Sequence, residues 1–177
     1  AMRFVDPNQT FQIITSTSLA AGLPGSNQAT FTESFRIDNL SRTTALKISI
    51  FLYADYDLNS TDTDAGVLFG DPRTVSQGDA AGVLHEASVT VTPALIEASL
   101  YPTLINLLND GASDNLSGVT SVGSGDSVYA FQWDIEIGPR RSWTLGNTNS
   151  ITVPEASTTL LVGMGLAGGL LVARRRT

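Results

Sequence analysis

YAFQWDIEI, residues 129–137, decides the fold class. Its odd positions are Tyr129, Phe131, Trp133, Ile135 and Ile137; its even positions are Ala130, Gln132, Asp134 and Glu136. Side chains of a strand alternate between two faces, so this run has one face for a core and one for water. Period two at this strength marks a half-buried antiparallel strand. The pattern recurs upstream. Phe31, Phe35 and Ile37 share one parity. Leu46, Ile48, Ile50, Leu52 and Ala54 are all apolar, while the opposite face starts at Lys47 and Ser49 and becomes aromatic at Phe51 and Tyr53. Val83, Ala87, Val89 and Val91 point one way, and His85 has their parity. Turn-rich breaks at 22–27, 59–66, 111–118 and 123–126 separate these runs. Short alternating strands with such breaks predict a mostly β protein, an antiparallel β-sandwich.

One segment departs from alternation. Thr92 before Pro93 is a plausible N-cap with proline at the first helical position. Leu95, Ile96, Leu100, Leu104, Leu107 and Leu108 follow near helical spacing, and Pro102 interrupts them. The expectation is one short or kinked helical insertion, or two short helices, closing near Gly111. It would plug one end of the sandwich or cover a strand edge.

Composition narrows the function classes. The chain has 177 residues, enough for one domain and a short appendage. Charged residues are only 15%, against roughly 25% in an average domain, while Ser and Thr together number 38. That hydroxyl-rich texture suits an extracellular β protein. There is no cysteine, which removes disulfides, thiolate metal sites and a thiol nucleophile. A single histidine removes multi-histidine metal chemistry. Residues 1–157 hold all 17 acids against 7 bases, a net charge of −10 that repels nucleic acid phosphates. No nucleic acid partner is expected.

The most chemical-looking segment is ADYDLNSTDTDAG, residues 54–66. Asp55, Asp57, Asn59, Asp62 and Asp64 place five oxygen-bearing side chains in ten positions. Hard cations such as calcium take six to eight oxygens. Asp55, Asp57 and Asn59 have the spacing that opens an EF-hand loop, but Ser60 stands where glycine is needed and Gly66 where the bidentate glutamate belongs. The segment is therefore not an EF-hand. Two readings remain: a looser calcium site between strands, and a solvated acidic loop that keeps the sheet soluble.

Other candidates read as structure first. His85 and Glu86 suggest acid–base work, yet His85 has core parity and no partner spacing. Asp134 and Glu136 share a strand face and could mimic a glycosidase pair, but they alternate with aromatics on an ordinary amphipathic strand. Trp133, Trp143, Tyr53 and Tyr129 could form a carbohydrate platform; Trp133 has core parity, and Trp143 is the better candidate for exposure. Asn-x-Ser/Thr sequons stand at Asn8, Asn39, Asn59 and Asn115. No nucleophile elbow and no phosphate loop is present, so no enzyme is expected.

The C-terminus has a different logic. Residues 158–173, TTLLVGMGLAGGLLVA, run 16 residues without a charge. A helix of that length spans about 24 Å, short of a hydrocarbon core of about 30 Å. The run is apolar all round, and its glycines are tolerated in lipid better than in water. Arg174, Arg175 and Arg176 follow it, and the positive-inside rule would hold them in the cytoplasm. The expectation is a transmembrane-like helix over 158–173. Before it stands Val153-Pro154-Glu155-Ala156-Ser157, where proline favours an extended, accessible backbone.

This order of a Pro-Glu motif, a short glycine-containing apolar run and an arginine cluster resembles the PEP-CTERM sorting signal. The resemblance covers 153–177 and implies a Gram-negative secreted protein handled by exosortase, an integral-membrane cysteine protease or transpeptidase. Pro154 and Glu155 would be the recognised dipeptide, with Val153 and Ala156 flanking; the usual form is Pro-Glu-Pro, and Ala156 holds the last place here. The family implies a secretion leader, and residues 1–4 offer none, so the expectation is a chain that starts after it. NLLNDG (106–111), SGDSVYAFQWDIEIGP (124–139) and YADYDL (53–58) are similar to a recurrent group of the same proteins, for which no enzymatic activity is implied.

The expected division is a secreted body over 1–152 and a sorting signal over 153–177. The expected function is that of a non-enzymatic surface, matrix or biofilm protein. Its expected partners are exosortase and the membrane, with exopolysaccharide or self-association for the body. The alternatives are a structural subunit that assembles through strand edges into fibres, and a carbohydrate-binding module.

Overall fold

A computed structural model of the chain describes residues 1–58 and 63–154. Eleven strands and one helix follow in order: β1 (Met2–Val5), β2 (Phe11–Ala21), β3 (Gln28–Asn39), β4 (Leu46–Asp55), β5 (Gly66–Asp71), β6 (Thr74–Gly78), β7 (Leu84–Val89), β8 (Leu95–Leu100), α1 (Thr103–Asn109), β9 (Ser121–Val122), β10 (Ser127–Ile137) and β11 (Ser142–Thr152). One sheet has eight strands in the order β1-β2-β3-β11-β7-β6-β5-β9; the other has three, β4-β10-β8. The strand pairs are antiparallel.

The two sheets share a core. Tyr129, Phe131 and Trp133 of β10 pack against Phe69, Val75, Ala87 and Leu145 of the larger sheet. Phe69 meets Phe131 edge-on, with ring centroids 5.3 Å apart. Trp133 Nε1 donates to the Val91 carbonyl at 3.0 Å, tying the smaller sheet to the chain that leaves β7. The odd positions of β10 therefore do face the core, as alternation predicts, but the even face is not left to water as expected: Val128, Ala130 and Gln132 are wholly buried. Gly66, at φ +136, is one place where glycine is required: a Cβ there would lie 2.5 Å from the Val122 carbonyl oxygen.

The helical expectation for 92–111 holds only in its second half. Leu95–Leu100 is strand β8, paired with β10 from Leu95↔Gln132 to Leu100↔Ser127. The apolar residues fall on both faces for a reason. Ile96 and Ala98 face the core between the sheets, while Leu95 faces a second cluster. A strand buried on both faces loses its alternation and mimics a helix. Thr92 is not an N-cap; α1 starts after Pro102 and makes one short helix. Nor does α1 plug an end or cover an edge. Leu104, Leu107 and Leu108 lie on the outer face of the smaller sheet, against Val128, Ala130 and Phe51. That placement explains why the outer face of β4 turns aromatic at Phe51 and Tyr53.

Among the described residues no helix is long and apolar enough to cross a membrane. The apolar run 158–173 and Arg174, Arg175 and Arg176 lie outside the described residues.

Candidate functional site

The sorting segment leaves the body from the end of β11. β11 pairs with β3 on one side and β7 on the other, down to Thr152↔Gln28 and Thr152↔Leu84. One residue later the Val153 amide donates to the Asn27 carbonyl at 2.9 Å. Pro154 then stands beside Gly82, and both Val153 and Pro154 are exposed. Proline contributes no backbone donor, so the ladder ends here. Glu155 and Ala156 lie outside the described residues.

The acidic segment is reorganised by tertiary structure. Asp55 ends β4, Asp57 follows it, and Asp126 precedes β10; their carboxylates each offer an oxygen within 4.8 Å of the others. The register causes this convergence. Val128 pairs with Asp55, so continuing the antiparallel ladder sets Asp126 beside Asp57. Asp126 is thus the residue that the sequence reading missed. Its only signal is the SGD turn before β10, which means nothing until the pairing of β10 with β4 is known. The Tyr53 hydroxyl donates to Asp55 Oδ2 at 3.0 Å.

Asp64 is not in that group. It is buried, and its Oδ2 accepts from Gln77 Nε2 at 2.8 Å and from the Ser127 amide at 3.3 Å. Burial pushes its carboxyl above the usual range; the bonds from Gln77 and Ser127 oppose this, and the nearby charge of Asp57 adds to it. Asn59 and Asp62 lie outside the described residues. Three carboxylates close together form an oxygen-rich, anionic corner that suits a hard cation, at half or less of the ligands that calcium takes.

A buried polar row crosses the inner face of the larger sheet. His85 Nε2 lies 3.2 Å from Asn149 Oδ1, which also accepts from the Tyr56 hydroxyl at 3.4 Å. The rings of Tyr56 and His85 sit 4.1 Å apart. Asn147 Nδ2 donates to Glu33 Oε2 at 3.0 Å. Burial lowers the basicity of His85, with the Asn149 contact opposing, so the folded form favours the neutral ring. Glu86 is exposed on the opposite face of β7, so the His85-Glu86 pair does not converge on one reacting atom.

The remaining candidates have structural partners. Asp134 accepts from Ser49 Oγ at 2.7 Å, and Glu136 pairs with Lys47 Nζ at 3.4 Å, both across the β10–β4 pair. Trp133 and Tyr129 are buried. Trp143 is half-buried with its ring 6.2 Å from that of Trp133, and Tyr53 belongs to the opposite face of the smaller sheet. The four aromatics do not share one surface. Asn39, of the second sequon, is buried and spends its amide on the carbonyls of Thr44 and Ile137.

An apolar cleft opens between the sheets at one side. Its volume is ≈ 330 Å³, and Ile13, Phe35, Ile37, Ile48, Ile50 and Trp143 are among its walls. It lies where β2 and β3 extend past β4, the edge strand of the smaller sheet.

A search of the curated proteins finds no match to the chain. A family model described as the PEP-CTERM protein-sorting motif matches residues 152–176, beginning at the last residue of β11. The chain therefore carries a PEP-CTERM sorting motif at its C-terminus, which implies exosortase-dependent sorting to the cell surface or extracellular space.

Proposed function

We propose that the chain is a secreted, non-enzymatic β protein whose tail is a temporary halt signal and whose body is the cargo. The apolar run 158–173 would sit in the inner membrane, with Arg174, Arg175 and Arg176 holding its tip on the cytoplasmic side. Exosortase would act near Pro154-Glu155 and release the body to the surface or matrix of a Gram-negative cell, where exopolysaccharide is a candidate neighbour. The observation that carries this reading is the sorting motif beginning where the last strand ends, on exposed backbone. A processing enzyme needs accessible, extended peptide, and Val153-Pro154 offers it. Mass spectrometry of the protein from its native host is the test. Loss of the residues after Glu155 is the expected result; an intact tail would make it a permanent anchor instead.

Two further readings have an observation behind them. Self-association of the body is favoured by the free edge of β4 beside an apolar cleft, and by the exposure of Met2 and Phe4. Calcium is favoured by the convergence of Asp55, Asp57 and Asp126, with the buried Asp64 close enough to feel Asp57.

A further inference from the structure

The eight-stranded sheet is wider than its cover. Strands β1, β2 and β3 form a wing at one end of it, and the three-stranded sheet stops at β4. The registers assign every wing side chain to a face. Leu145 belongs to the core and pairs with Phe35, which pairs with Thr15, which pairs with Met2. In the next row Trp143 pairs with Ile37, then Ile13, then Phe4. Phe4, Ile13, Phe35 and Ile37 therefore lie on the face that continues the core. The opposite face carries Arg3, Gln12, Ser16, Ser34, Arg36 and Asp38. There Asp38 already accepts from Gln12 Nε2 at 2.6 Å and Arg36 Nε at 2.7 Å. The opposite face also holds Val5 and Ile14, and the core-side face also holds Thr15, Thr17 and Glu33. The core-side face is covered at Ile37, 3% exposed, and opens toward the sheet edge, where Met2 is 74% and Phe4 56% exposed.

We propose that this wing packs face to face on the wing of a second copy of the chain, with β1 of each copy pairing along the free edge of β4 of the other. The inference rests on the self-association reading and names its surface. Three observations point to a second copy. First, among the described residues β4 pairs with β10 alone, so the backbone groups on its other side seek a strand. Second, the wing lines the same cleft as β4, so it overhangs that edge and blocks any incoming edge that carries a second layer. A single-layer extension fits, and the wing is the single-layer part of this molecule. Third, the directions agree. Asn39, which ends β3 opposite Phe11, bonds to the carbonyl of Ile137, whose partner is Leu46 at the start of β4. β1 ends beside that same level, since Val5 pairs with Gln12. A two-fold axis parallel to the strands then sets β1 of one copy antiparallel to β4 of the other.

The arrangement is isologous and closes on itself, as most stable homodimers do. Each layer would run unbroken from the large sheet of one copy into the small sheet of the other. With strands about 4.8 Å apart and rising about 3.4 Å per residue, the 4, 11 and 12 residues of β1, β2 and β3 cover at most about 440 Å² on each wing and about 880 Å² on the two together, the size of a weak interface rather than an obligate one.

The absence of cysteine makes the test direct. Arg3→Cys and Ser49→Cys stand on the outward, exposed faces of β1 and β4. In the full chain held in mild detergent, a bismaleimide should link these two positions between copies and give a dimer on a denaturing gel. Adding Phe4→Asp should cut the dimer yield about tenfold, as expected when an apolar anchor is lost from an interface. Phe4 is exposed in the single copy, so this change leaves the fold intact, which an unchanged melting temperature would verify. A chain that sediments as a monomer and gives no link overturns the pairing, and so does a link that Phe4→Asp leaves unchanged. Larger assemblies that survive Phe4→Asp also overturn it, while leaving edge-driven assembly standing.

Discussion

His85 of β7 and Asn149 of β11 face each other with 3.2 Å between Nε2 and Oδ1, on the inner face of the larger sheet and with His85 wholly out of water. Asn149 oxygen is an acceptor, so the contact fixes which ring nitrogen carries the proton. The second nitrogen, Nδ1, is buried and has no hydrogen-bond partner among the described residues.

That geometry sets the sign of a pH effect. Burial lowers the His85 value below its ordinary 6.5, and the fold holds the ring neutral. The unfolded chain takes up a proton near 6.5 that the folded one refuses. Stability from this residue is complete above 6.5 and is lost as pH falls through that value. Asp64, raised mainly by burial, has the opposite sign and loses stability as pH rises above the ordinary 3.8. Thermal melts between about pH 7 and about pH 5 should show a steeper decline for the native chain than for His85→Gln. Parallel declines would remove His85 from the effect.

Phe131 sits between the sheets with no exposure, edge-on to Phe69 and Tyr129. Phe131→Ala should cost about 3–5 kcal/mol by denaturant unfolding, because both sheets lose contacts to a rigid cavity. A cost below about 1 kcal/mol would mean that the sheets close over the gap.

The cover formed by α1 should be separable from the main core. Leu104 is wholly buried, but its cluster of Leu116, Val128 and Ala130 lies on the outer face of the smaller sheet. Leu104→Ala should cost about 2–5 kcal/mol. Hydrogen exchange should quicken first in residues 103–118, before the strands of the larger sheet respond. Uniform quickening across all strands would contradict that order.

In the acidic corner, calcium should raise the melting temperature of the native chain, and Asp57→Asn should abolish the rise. Without the cation Asp57→Asn should melt no lower than the native chain, since it removes one of three neighbouring like charges. Neither heat nor a melting shift on titration with calcium would leave the corner as a solvated acidic loop.

Strands whose two faces differ in polarity were legible in the sequence. The alternation in β10, β4 and β7 reports which face meets the common core, and the registers place Phe131, Leu52 and Ala87 there. It does not report that the other face of β10 is buried too, at Val128, Ala130 and Gln132. β8 was not legible, because α1 buries its second face beside Leu95 and erases the period. Asp126 was invisible for another reason. It lies some seventy residues from Asp57 along the chain, and only the pairing of β10 with β4 joins them.

The sequence by itself determined that the fold is mostly β and that the chain carries a sorting motif. Alternation is a local consequence of strand geometry, and the Pro-Glu motif with its apolar run and arginines is contiguous, so neither needs a partner elsewhere in the chain. Tertiary structure alone decided what is brought together and what is left uncovered: the three-carboxylate corner, the His85–Asn149 contact, and a wing whose apolar face extends past β4. These depend on strand order and on the number of strands in each sheet. Both are set by the total surface that the whole chain can bury, a sum that no single segment carries.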